Sequence, residues 1–230
     1  MKRLQVAIDG PAGAGKSTVA RRLAQRLGYL YIDTGAMYRA VALLVLEAGA
    51  DGDDEEQVLA AARAGDLTLE PGEPGGAPRV LVNSRDITDA IRRPEVTEMA
   101  SRVARHPRVR AWLTERQRAM AAEGGVVMDG RDVGTVVLPD AEMKVFLTAS
   151  LRERARRRQA ELASRGYTVP LDELEADIAR RDQLDAGRAV APLRQAPDAV
   201  LVDTTDRSID EVVEELYALW AARAGCGARG

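Results

Sequence analysis

The sequence predicts a three-layered α/β protein, with about five parallel strands between helices, a phosphate-binding loop and an inserted antiparallel arm. Two observations carry this prediction. Short apolar runs alternate with stretches of 3.6-residue periodicity, the pattern of strand–helix–strand units. In addition, Gly10-Pro11-Ala12-Gly13-Ala14-Gly15-Lys16-Ser17, followed by Thr18, fits G-x-x-x-x-G-K-[ST] between the first such run and the first helix.

Taken in order, the strands are read at 4–8, 29–32, 126–128, 143–147 and 199–202, nearly continuous in apolar residues, as in a sheet buried on both faces. The helix at 16–27 places Val19, Ala20, Leu23, Ala24 and Leu27 on one face and Arg21, Arg22, Gln25 and Arg26 on the other. A second helix turns Met37, Ala40, Val41, Leu44 and Val45 inward. The last buries Ile209, Val212, Val213, Leu216 and Trp220, and it opens on Ser208 and Glu211 at capping-box spacing. Residues 66–91 break the rhythm. Asp66 to Glu70 alternates as a strand, 71–78 is a Pro- and Gly-rich loop, and Arg79 to Asn83 reads as the return strand. A helix over 151–165 is dense in arginine, and 225–230 reads as a frayed tail.

A chain of 230 residues, 46 % hydrophobic and 30 % charged, suffices for one α/β core with an insertion or for two small domains. A net charge of −3 supplies no basic field for nucleic acid. A single cysteine, Cys226, excludes an internal disulfide and suits a reducing compartment. Met1-Lys2-Arg3 runs straight into a strand with no signal-like apolar segment, and no apolar run nears 18 residues. A cytoplasmic protein without membrane attachment is expected. The only histidine, His106, precedes Pro107 at a helix start, where a surface role fits better than catalysis. Serine–histidine hydrolysis and histidine-rich metal sites therefore have little support. Lysine occurs only at Lys2, Lys16 and Lys144, so arginine abundance argues nothing by itself and each arginine is judged by its position.

Four motifs bear chemistry. In the P-loop, glycines let backbone N–H groups face a polyphosphate, Lys16 can reach its β and γ phosphates, and the Ser17 hydroxyl can hold Mg²⁺. Asp33-Thr34-Gly35-Ala36-Met37-Tyr38-Arg39 follows the second strand, where ligands of open α/β sheets bind, and Thr34 can cap the next helix. An apolar strand ends in Asp129-Gly130-Arg131-Asp132. Asp129 stands where a Walker-B aspartate holds a Mg²⁺-bound water, while Arg131 and Asp132 project into the crevice; a turn with two charges is the plainer alternative. Arg181 and Asp185 are four apart, the spacing of an ordinary surface pair as well, and Gly187 ends their helix beside Arg188.

In this order, segments 10–18, 33–39, 108–110, 129–135 and 181–192 resemble the bacterial cytidylate kinases, over nearly the whole chain and including the arm at 66–91. The resemblance implies a nucleoside-monophosphate-kinase fold. Its P-loop core would span 1–33, 99–150 and 167–224, and an acceptor nucleotide-binding region 34–98. An arginine-rich lid would span 151–166, ahead of a flexible tail at 225–230. It implies transfer from ATP to CMP or dCMP with Mg²⁺, by a monomer. By motif, Lys16, Asp129, Arg131 and Arg188 are the catalytic set, and 10–18 with Arg157 hold the donor. Arg39, Arg131 and Arg188 clamp the acceptor phosphate. Ser101, Arg110 and Asp132 read cytosine, and Tyr38, Arg181 and Asp185 surround the ribose and phosphate. Thr34 stands where relatives often carry serine, and Ser17 with Asp129 would hold the metal. Arg154, Arg157 and Arg158 are candidates for lid contacts, although pairs such as Glu153–Arg157 on a solvated face fit the same spacing.

Rival readings leave different traces. A GTP-dependent switch needs a guanine-reading Asn/Thr-Lys-x-Asp segment, and no lysine here sits in one. A nucleic-acid motor is opposed by the acidic balance, the short chain and the missing second motor core. Another monophosphate kinase or a shikimate-type kinase differs in its acceptor. The loop 203–207 is the one segment read as a neighbour of the adenine.

Overall fold

The structure, a computed structural model, describes residues 3–70, 72, 76, 78–164 and 166–226. The chain begins with β1 (Gln5–Asp9), α1 (Lys16–Leu27), β2 (Leu30–Asp33), α2 (Thr34–Glu47) and α3 (Glu55–Ala64). A small excursion follows: β3 (Leu67–Glu70), β4 (Arg79–Val82), β5 (Arg85–Asp86) and a 3₁₀ turn (Ala90–Arg92). Helices α4 (Pro94–Val103) and α5 (Pro107–Ala121) lead to β6 (Val126–Gly130), a single π-helical turn (Val133–Val137) and β7 (Met143–Thr148). The chain closes with α6 (Leu151–Ala163), α7 (Leu171–Ala186), β8 (Val200–Asp203) and α8 (Ile209–Cys226).

The main sheet has five parallel strands in the order β2-β6-β1-β7-β8, as expected. Side chains alternate between its faces. Val6 and Ile8 of β1 join Val127 of β6 in a core closed by Val19 and Leu23 of α1 and Val212 and Leu216 of α8. Ala7 joins Val126 and Met128 in the opposite core, closed by Met37 and Val41 of α2, Val96 of α4 and Leu113 of α5. Both faces are therefore covered, which is why the strands read as unbroken apolar runs. Between α6 and α7, Ala155, Leu174 and Ile178 form a smaller cluster.

Most helix limits follow from local chemistry. Helix α1 starts after Gly15 and stops at Gly28, both with positive φ, as anticipated. Helix α8 opens on the expected capping box: Ser208 N–H donates to Glu211 at 2.8 Å and Glu211 N–H to Ser208 at 3.3 Å. Two expectations change. Asp33, rather than Thr34, caps α2, its carboxylate accepting from the Ala36 N–H at 2.8 Å, because Thr34 is already the first helical residue. In α2, Leu43 is buried and Leu44 only half-buried.

The arm pairs β3 with β4 antiparallel as read, and adds a third strand, β5. Asn83 and Ser84, with φ of 50° and 63°, turn β4 into β5 in two residues. Of the loop at 71–78, only Gly72, Gly76 and Pro78 are among the described residues; 227–230 of the tail and Arg165 of the lid segment lie outside them. His106 is structural: its Nε2 lies 2.9 Å from Gly52 O. Among the described residues, no helix is long and apolar enough to cross a membrane.

Candidate active site

Strand order reverses on either side of β1, so the crevice beyond the carboxyl ends of β1, β2 and β6 is where a ligand of such a sheet sits. The loop after β1 is shaped by steric necessity. At Gly10 a Cβ would lie 2.0 Å from the Leu147 carbonyl oxygen, and at Gly13, with φ 77°, 2.9 Å from Cβ of Arg154. No side chain caps the first turn of α1, so its amides and helix dipole are left for an anion. Lys16 is buried, and its Nζ donates to Pro11 O at 2.8 Å. Burial and the neighbouring Arg131 pull its pKa down to about 7.

Ser17 Oγ donates to Asp129 Oδ2 at 2.9 Å, and Tyr31 Oη donates to Asp129 Oδ1 at 2.8 Å. Burial, then the charge of Asp33, pushes Asp129 up to about 6. Thr34 Oγ1 donates to the Asp129 carbonyl at 2.7 Å, joining the ends of β2 and β6. Among the described residues no group of three or more His, Cys, Asp or Glu is placed to hold a metal. The adjacent hydroxyl and carboxylate suit Mg²⁺, which takes few protein ligands and completes its shell with phosphate oxygens and water.

Around Asp33 and Asp185 the charges are unbalanced. Arg131 Nε donates to Asp185 Oδ2 at 2.9 Å and Arg188 Nη2 to Asp185 Oδ1, while Arg39 Nη2 donates to Asp33 at 3.0 Å. Among the described residues, the Nε atoms of Arg39 and Arg181 are buried without a hydrogen-bond partner. Burial, then Arg131, lowers Arg181 to about 10. Burial would raise Asp185, but Arg131, Arg188 and Arg181 outweigh it and hold its carboxyl low. Four guanidinium groups thus share two carboxylates, an arrangement completed by an anion. Arg181 and Asp185 accordingly belong to a half-buried cluster and not to a surface pair.

Beside this cluster, Arg110 Nη2 donates to Asp132 Oδ2 at 2.6 Å, both side chains buried, and its guanidinium lies 5.4 Å from the centroid of the Tyr38 ring. Burial pushes the Tyr38 hydroxyl up to about 12. Ser101 on α4 turns back to Thr97 O at 3.5 Å and shares no hydrogen bond with Arg110 or Asp132 among the described residues. In α6, Arg154 points inward to the P-loop, donating to Ala12 O at 3.1 Å and pairing with Asp182 at 2.7 Å. Arg157 binds Glu153, as its spacing allowed, and also Thr204, through Oγ1 at 3.0 Å and O at 2.6 Å. Arg158 pairs along its own helix with Glu161.

Two contributors escaped sequence reading, Tyr31, read as strand, and Asp9, while Thr204, in the loop read as a neighbour of the adenine, donates from Oγ1 to Ala14 O at 3.2 Å. The Asp9 carboxylate accepts from the Val133 and Gly134 N–H groups, and burial pushes it up to about 6. Its place directly before the P-loop was the available signal.

A P-loop at the switch point of a parallel sheet, facing a surplus of half-buried guanidinium groups, defines a P-loop phosphotransferase. Within that class the comparisons agree. The cytidylate kinase family model matches residues 6–222, and the chain belongs to the cytidylate kinase family. It is 54 % identical over 224 residues to a cytidylate kinase of Geobacillus kaustophilus, covering 97 % of this chain and 99 % of that one. It is 56 % identical over 210 residues to a cytidylate kinase of Lactiplantibacillus plantarum, covering 91 % of each. A crystal structure of an uncharacterized protein from Eubacterium ventriosum shares the fold, with a TM-score of 0.52 at 10 % identity, over 94 % of this chain and 98 % of that one.

Proposed function

We propose that the chain transfers the γ-phosphoryl group of ATP to CMP or dCMP, giving ADP and CDP or dCDP. The observation that carries this is the half-buried cluster of Arg39, Arg131, Arg181 and Arg188, in which two buried Nε atoms have no partner among the described residues, beside the buried Arg110–Asp132 pair. The first group is suited to a phosphate and the second to a polar base edge.

The chemistry asks for position and charge compensation. An oxygen of the acceptor phosphate forms a bond to the γ phosphorus as the bond from γ phosphorus to the bridging oxygen of ADP breaks. That oxygen is already ionised at neutral pH, so no strong general base is required. Lys16 and the P-loop amides hold the donor phosphates. Ser17 and Asp129 would hold Mg²⁺, which would supply further charge neutralisation there. Arg39, Arg131 and Arg188 hold the acceptor phosphate with planar two-pronged donors, and Arg181, Asp185 and Tyr38 set their orientation and the sugar. Asp132 accepts from the exocyclic amine of cytosine, Arg110 donates to the ring acceptors, and Ser101 completes the base contacts. Uracil presents a carbonyl where Asp132 needs a donor, and buried groups left unpaired discriminate by up to about 10⁴-fold.

In this reading 34–98 is the acceptor region, 151–166 is a lid that excludes water, and Arg157 lies on the donor side of the site. The enzyme works as a cytoplasmic monomer, the state its resemblance implies. A steady-state screen with CMP, dCMP, UMP, AMP and shikimate, coupled to ADP formation, tests it. CMP and dCMP should far exceed the rest, and equal turnover of UMP would overturn the base assignment.

A further inference from the structure

We infer that Asp9 and Arg118 are positioning residues that hold the two ends of the turn at 133–137 and thereby set where Asp132 meets the acceptor base. Asp9 is the last residue of β1, next to the phosphate loop. Its two carboxylate oxygens accept separately from the Val133 N–H at 2.8 Å and the Gly134 N–H at 2.7 Å. These are the opening amides of the π-helical turn, a rare element that concentrates at functional sites. The residue in the capping position is Asp132, yet it makes no cap, because its carboxylate is committed to Arg110. Asp9 therefore performs, from another strand, the capping that Asp132 would otherwise perform, and leaves Asp132 free for its partner.

The other end is held by the opposite charge. Arg118 of α5 donates from Nε to Val137 O at 2.9 Å and from Nη2 to Val136 O at 2.7 Å. An acid on the amide end and a base on the carbonyl end both complement the dipole of the turn. The turn has little room to shift sideways: a Cβ at Gly134 would meet Lys144 Cδ at 3.3 Å and Asp9 Oδ2 at 3.4 Å. One side chain at the root of the donor loop thus governs the geometry of the acceptor site.

The inference rests on the acceptor reading given above and is tested in the intact enzyme with Asp9→Asn and Arg118→Ala. Asparagine keeps the size of the side chain but turns an NH₂ toward one of the two amides. We expect Asp9→Asn to raise KM for CMP at least about tenfold and to narrow the CMP-over-UMP ratio of kcat/KM at least about fivefold, with KM for ATP within about threefold. Arg118→Ala, on an exposed side chain, should narrow the same ratio by at least about threefold. A merely structural role would lower the active fraction, and so kcat, without moving that ratio. An Asp9→Asn ratio within twofold of the parent overturns the inference; if that variant does not fold, an unmoved ratio in Arg118→Ala overturns it. A parent enzyme that fails to prefer CMP over UMP would instead overturn the acceptor reading itself.

Discussion

Ser17 Oγ and Asp129 Oδ2 lie 2.9 Å apart, so the helix leaving the phosphate loop is tied to the tip of the neighbouring strand. Two groups sharing one role should not lose it twice. Ser17→Ala and Asp129→Ala are each expected to lower kcat/KM by about 100-fold, roughly 2.7 kcal/mol, and to raise the Mg²⁺ concentration for half-activation. The double variant should be at least about tenfold more active than independent effects would leave it. A multiplicative loss would separate the two residues functionally.

Asp132 is expected to carry base choice. Asp132→Ala should lower kcat/KM for CMP by at least about tenfold, about 1.4 kcal/mol, and should change the CMP-to-UMP ratio. An unchanged ratio would remove Asp132 from base reading, whatever happened to the rate.

The features legible in the sequence were those with a local cause. Helix α1 was read to the residue because glycines bound it at both ends, and the five strands because burial on both faces leaves unbroken apolar runs. The features that were missed are either very short or depend on contacts distant in sequence. Strand β5 is two residues long and has no periodicity to show. The turn at 133–137 depends on Asp9, 124 residues away. Arg154 and Arg158 look alike along one helix, yet one is buried against the P-loop and the other is partly exposed, a difference set by packing of α6 on α7. The candidate motifs were visible as residue types at strand ends, with plainer readings open for the paired charges; their mutual geometry was not.

Asp185 sits between Arg131 and Arg188 with its side chain 2 % exposed. Removing it leaves two half-buried guanidinium groups without compensation, a change that costs up to about 3–5 kcal/mol. For a chain of this size that is a fall in Tm of about 6–20 °C. Because the surplus charge attracts anions, added CMP should stabilise Asp185→Ala by more degrees than it stabilises the parent. Thermal scans with and without CMP check both points; a variant as stable as the parent would mean that the cluster tolerates its own charge.

Lys16, with a pKa pulled down to about 7, gives the site a pH signature. At pH 8 such a lysine is only about one-tenth protonated, whereas beside a polyphosphate its charged form is favoured and its pKa returns toward the ordinary lysine range. Binding a non-hydrolysable ATP analogue with Mg²⁺ at pH 8 should therefore take up close to one proton, and affinity should weaken as pH rises through 7 to 8. Calorimetry in two buffers of different ionisation heat measures this uptake directly. Lys16→Arg, whose guanidinium stays charged throughout, should bind with no such uptake, and Lys16→Ala should lose turnover while keeping its fold. Equal heats in both buffers for the parent enzyme would mean that Lys16 is already charged before the nucleotide arrives.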